Sequence, residues 1–454
     1  MLKDGAMTPD VDSAVSDDAK LGALEAVSST EAIGDAPITL ATPIQQDGGS
    51  RAWLQVVGSF LVFVNLWGFT FAFGSFQSYY QLDYLSTRTA SDISWIGTVS
   101  TFLLIVGGVF SGPLFDLGHF KTMLLIGACV ETLGLFLLSL CSGYYQIMLT
   151  QGVLVGLANG LLYLPGLALV GRSFKRHRSI AMAITTCGAP VGGIIYTVMF
   201  ETLINKLGFA WTIRAMAFFM LASYLVAFPL LLWGARNIGD LASGHARKLF
   251  DHTALKDVLF WSYSLSNFFL FFGYMVPFIY IAAYGQTHLG LSRNMSLNML
   301  IVAQAASIVG RLVVGYTAAR IGVMIPWITC GFSSGIFCIA WIGVKTEASF
   351  IAFAALYGCF SGALIPLPPS VFPIVCPDPK VLGARLGMAQ AIGSIASLIG
   401  SPIAGALSEV NAGRDGSNYL GLQLFSGLVM ILGGCQLIGL WVLLIKKRDV
   451  GKLI

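Results

Sequence analysis

Apolar runs long enough to cross a lipid bilayer, roughly 20 residues each, recur twelve times along this chain, and no other feature limits its fold so strongly. They lie near 53–79, 93–114, 121–141, 145–170, 179–204, 211–234, 258–283, 296–318, 324–343, 349–374, 385–407 and 420–445. Only 11% of the 454 residues are charged, against about 25% in a soluble globular chain. So much apolar surface has no place to hide in water, and the predicted solvent is lipid. The expected fold class is an all-α membrane protein with twelve transmembrane helices in two six-helix bundles.

The segments between the runs set the organisation. Residues 1–50 are polar and carry Asp4, Asp10, Asp12, Asp17, Asp18, Glu25, Glu31, Asp35 and Asp47, without the apolar core of a cleavable signal. They read as a disordered acidic tail. The polar stretch 235–257 then separates a first bundle, 51–234, from a second, 258–446, and 447–454 is a short tail. With both ends in the cytoplasm, Lys and Arg collect in the inner loops. Lys121, Arg172, Lys175, Arg176, Arg178, Arg320, Arg385, Lys446 and Lys447 are among seventeen such residues inside, against six outside. This asymmetry predicts an even number of crossings. The plasma membrane is the expected location, with an organelle membrane as the alternative.

Composition excludes several functions. No basic stretch interleaved with aromatics suggests a nucleic-acid partner. The eight cysteines form no C-x-x-C pair and no metal-ligand cluster with histidine, and they read as buried thiols. His119, His177, His245, His252 and His288 all fall in predicted loops. No nucleophile constellation, phosphate loop or metal set is present, so neither an enzyme nor a cofactor is expected. Oligomeric state is not legible.

A loop signal occurs twice. Gly112-Pro113-Leu114-Phe115-Asp116 ends the second run, followed by Gly118, His119 and Lys121; Gly315 to Gly322, with Arg320, ends the eighth. The first copy resembles the cytoplasmic loop motif of the major facilitator superfamily, and the second keeps its glycines and base but has Ala319 at the acidic position. The resemblance implies a major facilitator fold whose loops gate the outward-open state, and two related loops in two halves fit an internally repeated transporter.

A narrower resemblance rests on Asp47-Gly48-Gly49-Ser50-Arg51-Ala52-Trp53 and on Phe174-Lys175-Arg176-His177-Arg178-Ser179-Ile180-Ala181 with Gly188 and Gly192. Together they are similar to the signatures of the monocarboxylate transporter family in its fungal form. The family implies a substrate-binding Arg in helix eight, here Arg311. An intramembrane Arg costs at least ~2.5–3.5 kcal/mol to insert, and a guanidinium can hold a carboxylate with two hydrogen bonds. A structural Arg bonding helix carbonyls is the alternative. The family's proton-relay Asp and Lys fall on Ser307 and Ser75, so coupling uses another acid or transport is facilitated diffusion.

Glu131, mid-helix three, is the candidate proton site, expected to be protonated or hydrogen-bonded. Asn65, Asn159, Tyr163, Asn267, Tyr274, Gln304 and Gln390 sit in otherwise apolar runs; each lines a cavity or bonds a neighbouring helix. Gly152, Gly156 and Gly160 share one face, for static packing or for sliding. The reading is alternating-access transport of a small, anionic organic carboxylate or related metabolite. Efflux of a fungal secondary metabolite is the alternative, and a nutrient receptor with a transporter fold is the rival from another class.

Overall fold

The computed structural model describes residues 49–174, 178–235, 249–409 and 418–448. The predicted acidic tail, Lys175 to His177, most of the central stretch and the chain after 448 lie outside the described residues. Among the described residues every regular element is helical, and eleven helical spans are long and apolar enough to cross a membrane. They are α1 (Ser50–Tyr84), α2 (Ala90–Asp116), α3 (Phe120–Leu138), α4 (Tyr144–Gly171), Ile180–Trp233, α7 (Val258–Thr287), α8 (Arg293–Ala318), α9 (Met324–Gly343), α10 (Glu347–Val375), α11 (Val381–Glu409) and α12 (Leu420–Lys447). The span Ile180–Trp233 has 54 residues, too long for one crossing. Gly208, with φ of 73°, breaks it into α5 (180–207) and α6 (209–233). Eleven apolar helices are therefore twelve crossings.

Local chemistry sets the helix ends. Thr89 caps α2 by accepting from the Asp92 amide at 3.0 Å, with Asp92 returning the bond to the Thr89 amide. Asp257 accepts from the Leu259 amide at 3.0 Å to start α7, and Thr346 starts α10 in the same way. The duplicated loop motif ends both α2 and α8 with a left-handed glycine, Gly118 at φ 87° and Gly322 at φ 85°. A side chain there would be strained, which is why both copies keep glycine even though the second has lost its acid.

Glycine also controls how closely the helices approach. Gly68 of α1 lies against Gly192 of α5, and Gly160 of α4 against Gly107 of α2; a Cβ at Gly160 would sit 2.7 Å from the Gly107 Cα. Small residues at crossings let dispersion between backbones replace a hydrophobic drive that lipid does not supply. The outer surface is correspondingly apolar, with Leu133, Phe218, Leu225, Val309, Leu312 and Val313 exposed. Cys129 and Cys435 are exposed as well, correcting the expectation that the cysteines are buried. They sit on outward sides of α3 and α12, where lipid rather than protein would cover them.

The contacts define two faces. On the Trp53 face the two family-like signatures meet, because the Trp53 ring packs edge-on against Phe174 with centroids 5.2 Å apart. On the Asp83 face the first six crossings are pinned to the last six. Asp83 pairs with Arg293, whose guanidinium also lies 5.6 Å from the Tyr79 ring centre. Gln286 donates to Ser78 Oγ at 2.6 Å, the Ala90 amide donates to Glu409 Oε1 at 2.7 Å, and Ser91 Oγ donates to the Pro402 carbonyl at 2.8 Å. This end is sealed.

On the Trp53 face an ionic knot joins the start of α7 to the start of α11. Arg385 donates to Asp251 at 2.7 Å and to Asp257 at 2.9 Å, beside a cavity of about 580 Å³ lined by Asp257, Cys376, Pro377, Asp378, Val381 and Arg385. The Thr253 hydroxyl and the Arg385 guanidinium, both donating to Asp251, hold its carboxyl down at about 2. A carboxyl lowered by folding contributes stability above its unfolded value, about 3.9, and loses it as pH falls through the folded one. The melting-temperature gap between the parent protein and Arg385→Ala should therefore stay constant from about pH 8 to about pH 5 and narrow only toward pH 2. A gap that closes near neutrality would show that the knot does not hold the two helices.

Candidate functional site between the two halves

Arg311 is 2% exposed, in the last third of α8, where α8 meets α5. Its Nη1 donates to the Thr186 carbonyl at 2.8 Å, and Nε lies 3.4 Å from Ser307 Oγ. The Thr186 carbonyl is available for a sequence reason. In a helix it would accept from residue 190, but that residue is Pro190, which has no N–H. The helix is correspondingly interrupted at Cys187. Reading Thr186 to Pro190 for missing backbone donors would have pointed to this contact; a search for polar side chains passes over it.

The other guanidinium nitrogen, Nη2, is buried and without a hydrogen bond. Tyr274 and Cys187 are the electrostatic neighbours of the guanidinium, and the Tyr274 hydroxyl is a side-chain hydrogen-bonding neighbour of it. Among the described residues Arg311 forms no ion pair. An unpartnered buried donor costs about 1–3 kcal/mol, more when charged, so the arrangement favours an incoming acceptor.

Further unpaired polar groups lie on the same helices. Gln304 of α8 packs on Gly193 of α5, and its Nε2 has no partner. Asn267 of α7 lies near Gly393 of α11, with both side-chain polar atoms unpaired. Tyr263 and Ser397 also hold unsatisfied buried hydroxyls; sequence reading passed over them because serine and tyrosine are common in apolar helices. Tyr163 packs between Phe63 and Trp67 of α1. Asn159 donates weakly to the Leu66 carbonyl at 3.5 Å, leaving its oxygen unpaired. Gln390 is partly buried on α11.

Asn65 is placed elsewhere. It accepts from the Tyr196 hydroxyl at 2.9 Å and donates to Ser223 Oγ at 2.6 Å, inside the first six helices. There it adjoins Glu131, which accepts from the Tyr224 hydroxyl. Ser307 lies 3.4 Å from Arg311 Nε, and the Ser75 hydroxyl donates to Thr197 at 3.4 Å.

Within the first half, between α1, α2 and α4, lies a small void of about 10 Å³ lined by Phe69, Thr70, Phe73, Gly97, Ser100 and Gln151. The residues of the two loop motifs lie at the helix ends: Gly112 and Asp116 close α2, Lys121 opens α3, and Gly315 and Arg320 stand at the end of α8.

Residues 56–367 match the sequence profile of the Major Facilitator Superfamily. The chain is 36% identical to the aspyridones efflux protein apdF of Emericella nidulans, over 87% of this chain and 78% of that one. It is 35% identical to the agnestins efflux protein AgnL12 of Paecilomyces divaricatus, over 90% of each. It is 34% identical to the MFS-type transporter pynF of Aspergillus niger, over 86% of this chain and 88% of that one. An all-helical, membrane-crossing architecture, a profile match over most of its helices and relatives aligned nearly end to end agree, and the chain belongs to the Major Facilitator Superfamily of transporters.

Proposed function

We propose that this transporter exports an amphipathic organic anion of the fungal secondary-metabolite kind by alternating access. The observation that carries the reading is Arg311, a buried guanidinium at the junction of the halves that has no ion pair among the described residues and only neutral neighbours, the Thr186 carbonyl, Ser307 and Tyr274. A carboxylate or enolate entering there gains charge-assisted hydrogen bonds that the empty site lacks. Phe271 and Phe278, which pack on the Tyr274 ring, and Tyr357, which packs on Phe278, offer apolar walls to the rest of the ligand. The efflux names of two relatives favour outward movement. With the basic Trp53 face in the cytoplasm, the sealed Asp83 face is external, and the conformation is one that loads from inside.

Import of a small monocarboxylate is the second reading, carried by the two signatures that meet at Trp53 and Phe174. Serines at both relay positions weaken it. The test is intracellular retention of labelled aspyridones, agnestins and lactate in yeast expressing the chain at the plasma membrane. Export predicts lower retention of at least one of the two metabolites than in empty-vector cells. Inward movement of lactate alone overturns the export reading in favour of the second. If none of these moves, the receptor reading replaces both.

A further inference from the structure

We propose that Glu131 is a buried proton-binding site whose loading and release power export, a proposal that rests on the export reading above. Glu131 lies mid-helix in α3 and is 0% exposed. The other acid among the described residues that is buried to a similar degree, Asp116, lies at a helix end. One Glu131 oxygen accepts from Tyr224 of α6, and the other, Oε1, has no hydrogen-bond partner.

The surroundings are polar but carry no compensating charge. The titratable groups that reach Glu131 are Tyr224 of α6 and Tyr196, contributed by α5. Among the described residues α2 and α4, which also pack on α3, bring it no titratable group, and no Lys, Arg or His pairs with it. Asn65 of α1 links this pair to the rest, accepting from Tyr196 and donating to Ser223. Tyr224 also interacts with Asn65, so the carboxyl is the titratable end of a polar cluster that spans α1, α3, α5 and α6.

An ionised carboxylate in such a place is costly, because its partners are neutral and lipid surrounds the helices. The neutral acid suits the packed state. When the O–H bond breaks, its electron pair stays on the carboxylate and the proton leaves to water on the side then open. The resulting charge needs hydration that the packed helices do not provide, so ionisation favours a rearranged bundle. Asn65 carries that preference to α1, the helix whose far end is pinned to the second half through Asp83 and Ser78. Proton occupancy would thereby bias the seal on the Asp83 face. Neither Ser307 nor Ser75 can do this, since a serine hydroxyl does not titrate in the working range.

The experiment has two arms on the full chain. In nanodiscs, pH-difference infrared spectra of the parent protein should contain a protonated-carboxyl carbonyl band that Glu131→Gln removes. Tyr224→Phe, which deletes only the hydroxyl donor, should shift that band without removing it. In proteoliposomes, an imposed pH gradient should stimulate movement of aspyridones or agnestins by the parent, and the ratio of gradient-driven to gradient-free movement should fall to unity in Glu131→Gln, whatever its absolute rate. A band untouched by both substitutions overturns the site; gradient stimulation that survives Glu131→Gln overturns the coupling. If the parent moves no metabolite, the export reading fails by itself, and the infrared arm still decides whether Glu131 binds a proton. If Glu131→Gln does not assemble, Tyr224→Phe carries the test: an unshifted band overturns the site.

Discussion

Replacing Arg311 with methionine should abolish transport of an anionic metabolite while leaving the empty protein as stable as before, or more so. The two effects have opposite signs because the guanidinium is poorly compensated in the substrate-free site. It is 2% exposed, holds one carbonyl at 2.8 Å and a hydroxyl at 3.4 Å, and leaves Nη2 unpaired. Replacing buried charge by an apolar side chain of similar length is often neutral or stabilising, whereas truncation to alanine would add a cavity and confuse the measurement. The ligand loses hydrogen bonds to a charged donor, each contributing about 1.5–3 kcal/mol. Affinity for the anion should therefore fall by about 10- to 150-fold. The methyl ester of the same ligand, with no carboxylate to anchor, should bind parent and variant alike. Arg311→Lys should recover part of the anion's affinity, since it restores charge without the two-pronged geometry. Parental affinity for the anion in Arg311→Met, together with a lowered melting temperature, would make Arg311 a structural clasp between α5 and α8 and no more.

Much of the fold is legible in the sequence because lipid imposes one rule, that every crossing satisfies its backbone internally. Twelve runs of apolar residues appear as twelve crossings, including the pair that the structure carries as one long helix around Gly208. The two loop copies are likewise legible, because a left-handed turn demands glycine at 118 and 322. The site is less so. Arg311 stands out as a charge in an apolar run, yet its protein partner is a backbone carbonyl, exposed by a proline four residues on, and no side-chain pattern announces that. Asn65 and Asn267 look equivalent in sequence, each an amide in an apolar helix. The structure gives Asn65 three hydrogen bonds within the first half and leaves Asn267 unpaired near α11. Which face of a helix a residue occupies depends on crossings hundreds of residues apart in sequence, and those are set by glycines whose partners cannot be read locally.

Those glycines lead to the second large effect. Gly310→Ala should prevent α8 and α10 from packing and so remove Arg311 from its place without touching it. A Cβ on Gly310 would lie 1.8 Å from the Cys359 carbonyl oxygen, and one on Gly358 would lie 2.1 Å from the Ala303 carbonyl oxygen. Both obstacles are backbone, so no rotamer change relieves them, and the helices must separate by more than about an ångström or rotate. Overpacking a tight core costs about 1–3 kcal/mol and occasionally more, and a clash with backbone belongs at or above the upper end. Separation would also break the approach of Ser307 to Gly362, which positions the hydroxyl beside Arg311 Nε. Purified in detergent, Gly310→Ala should melt well below the parent and lose anion binding. Gly315→Ala is the control. It lies on the same helix and meets nothing within 4 Å, so added helix propensity should leave it unchanged or stabilise it by about 0.5–1 kcal/mol. If both alanines behave alike, the close approach of α8 and α10 is not what holds Arg311 at the junction of the halves; if only Gly310→Ala fails, the anion anchor depends on a hydrogen atom where any side chain would stand.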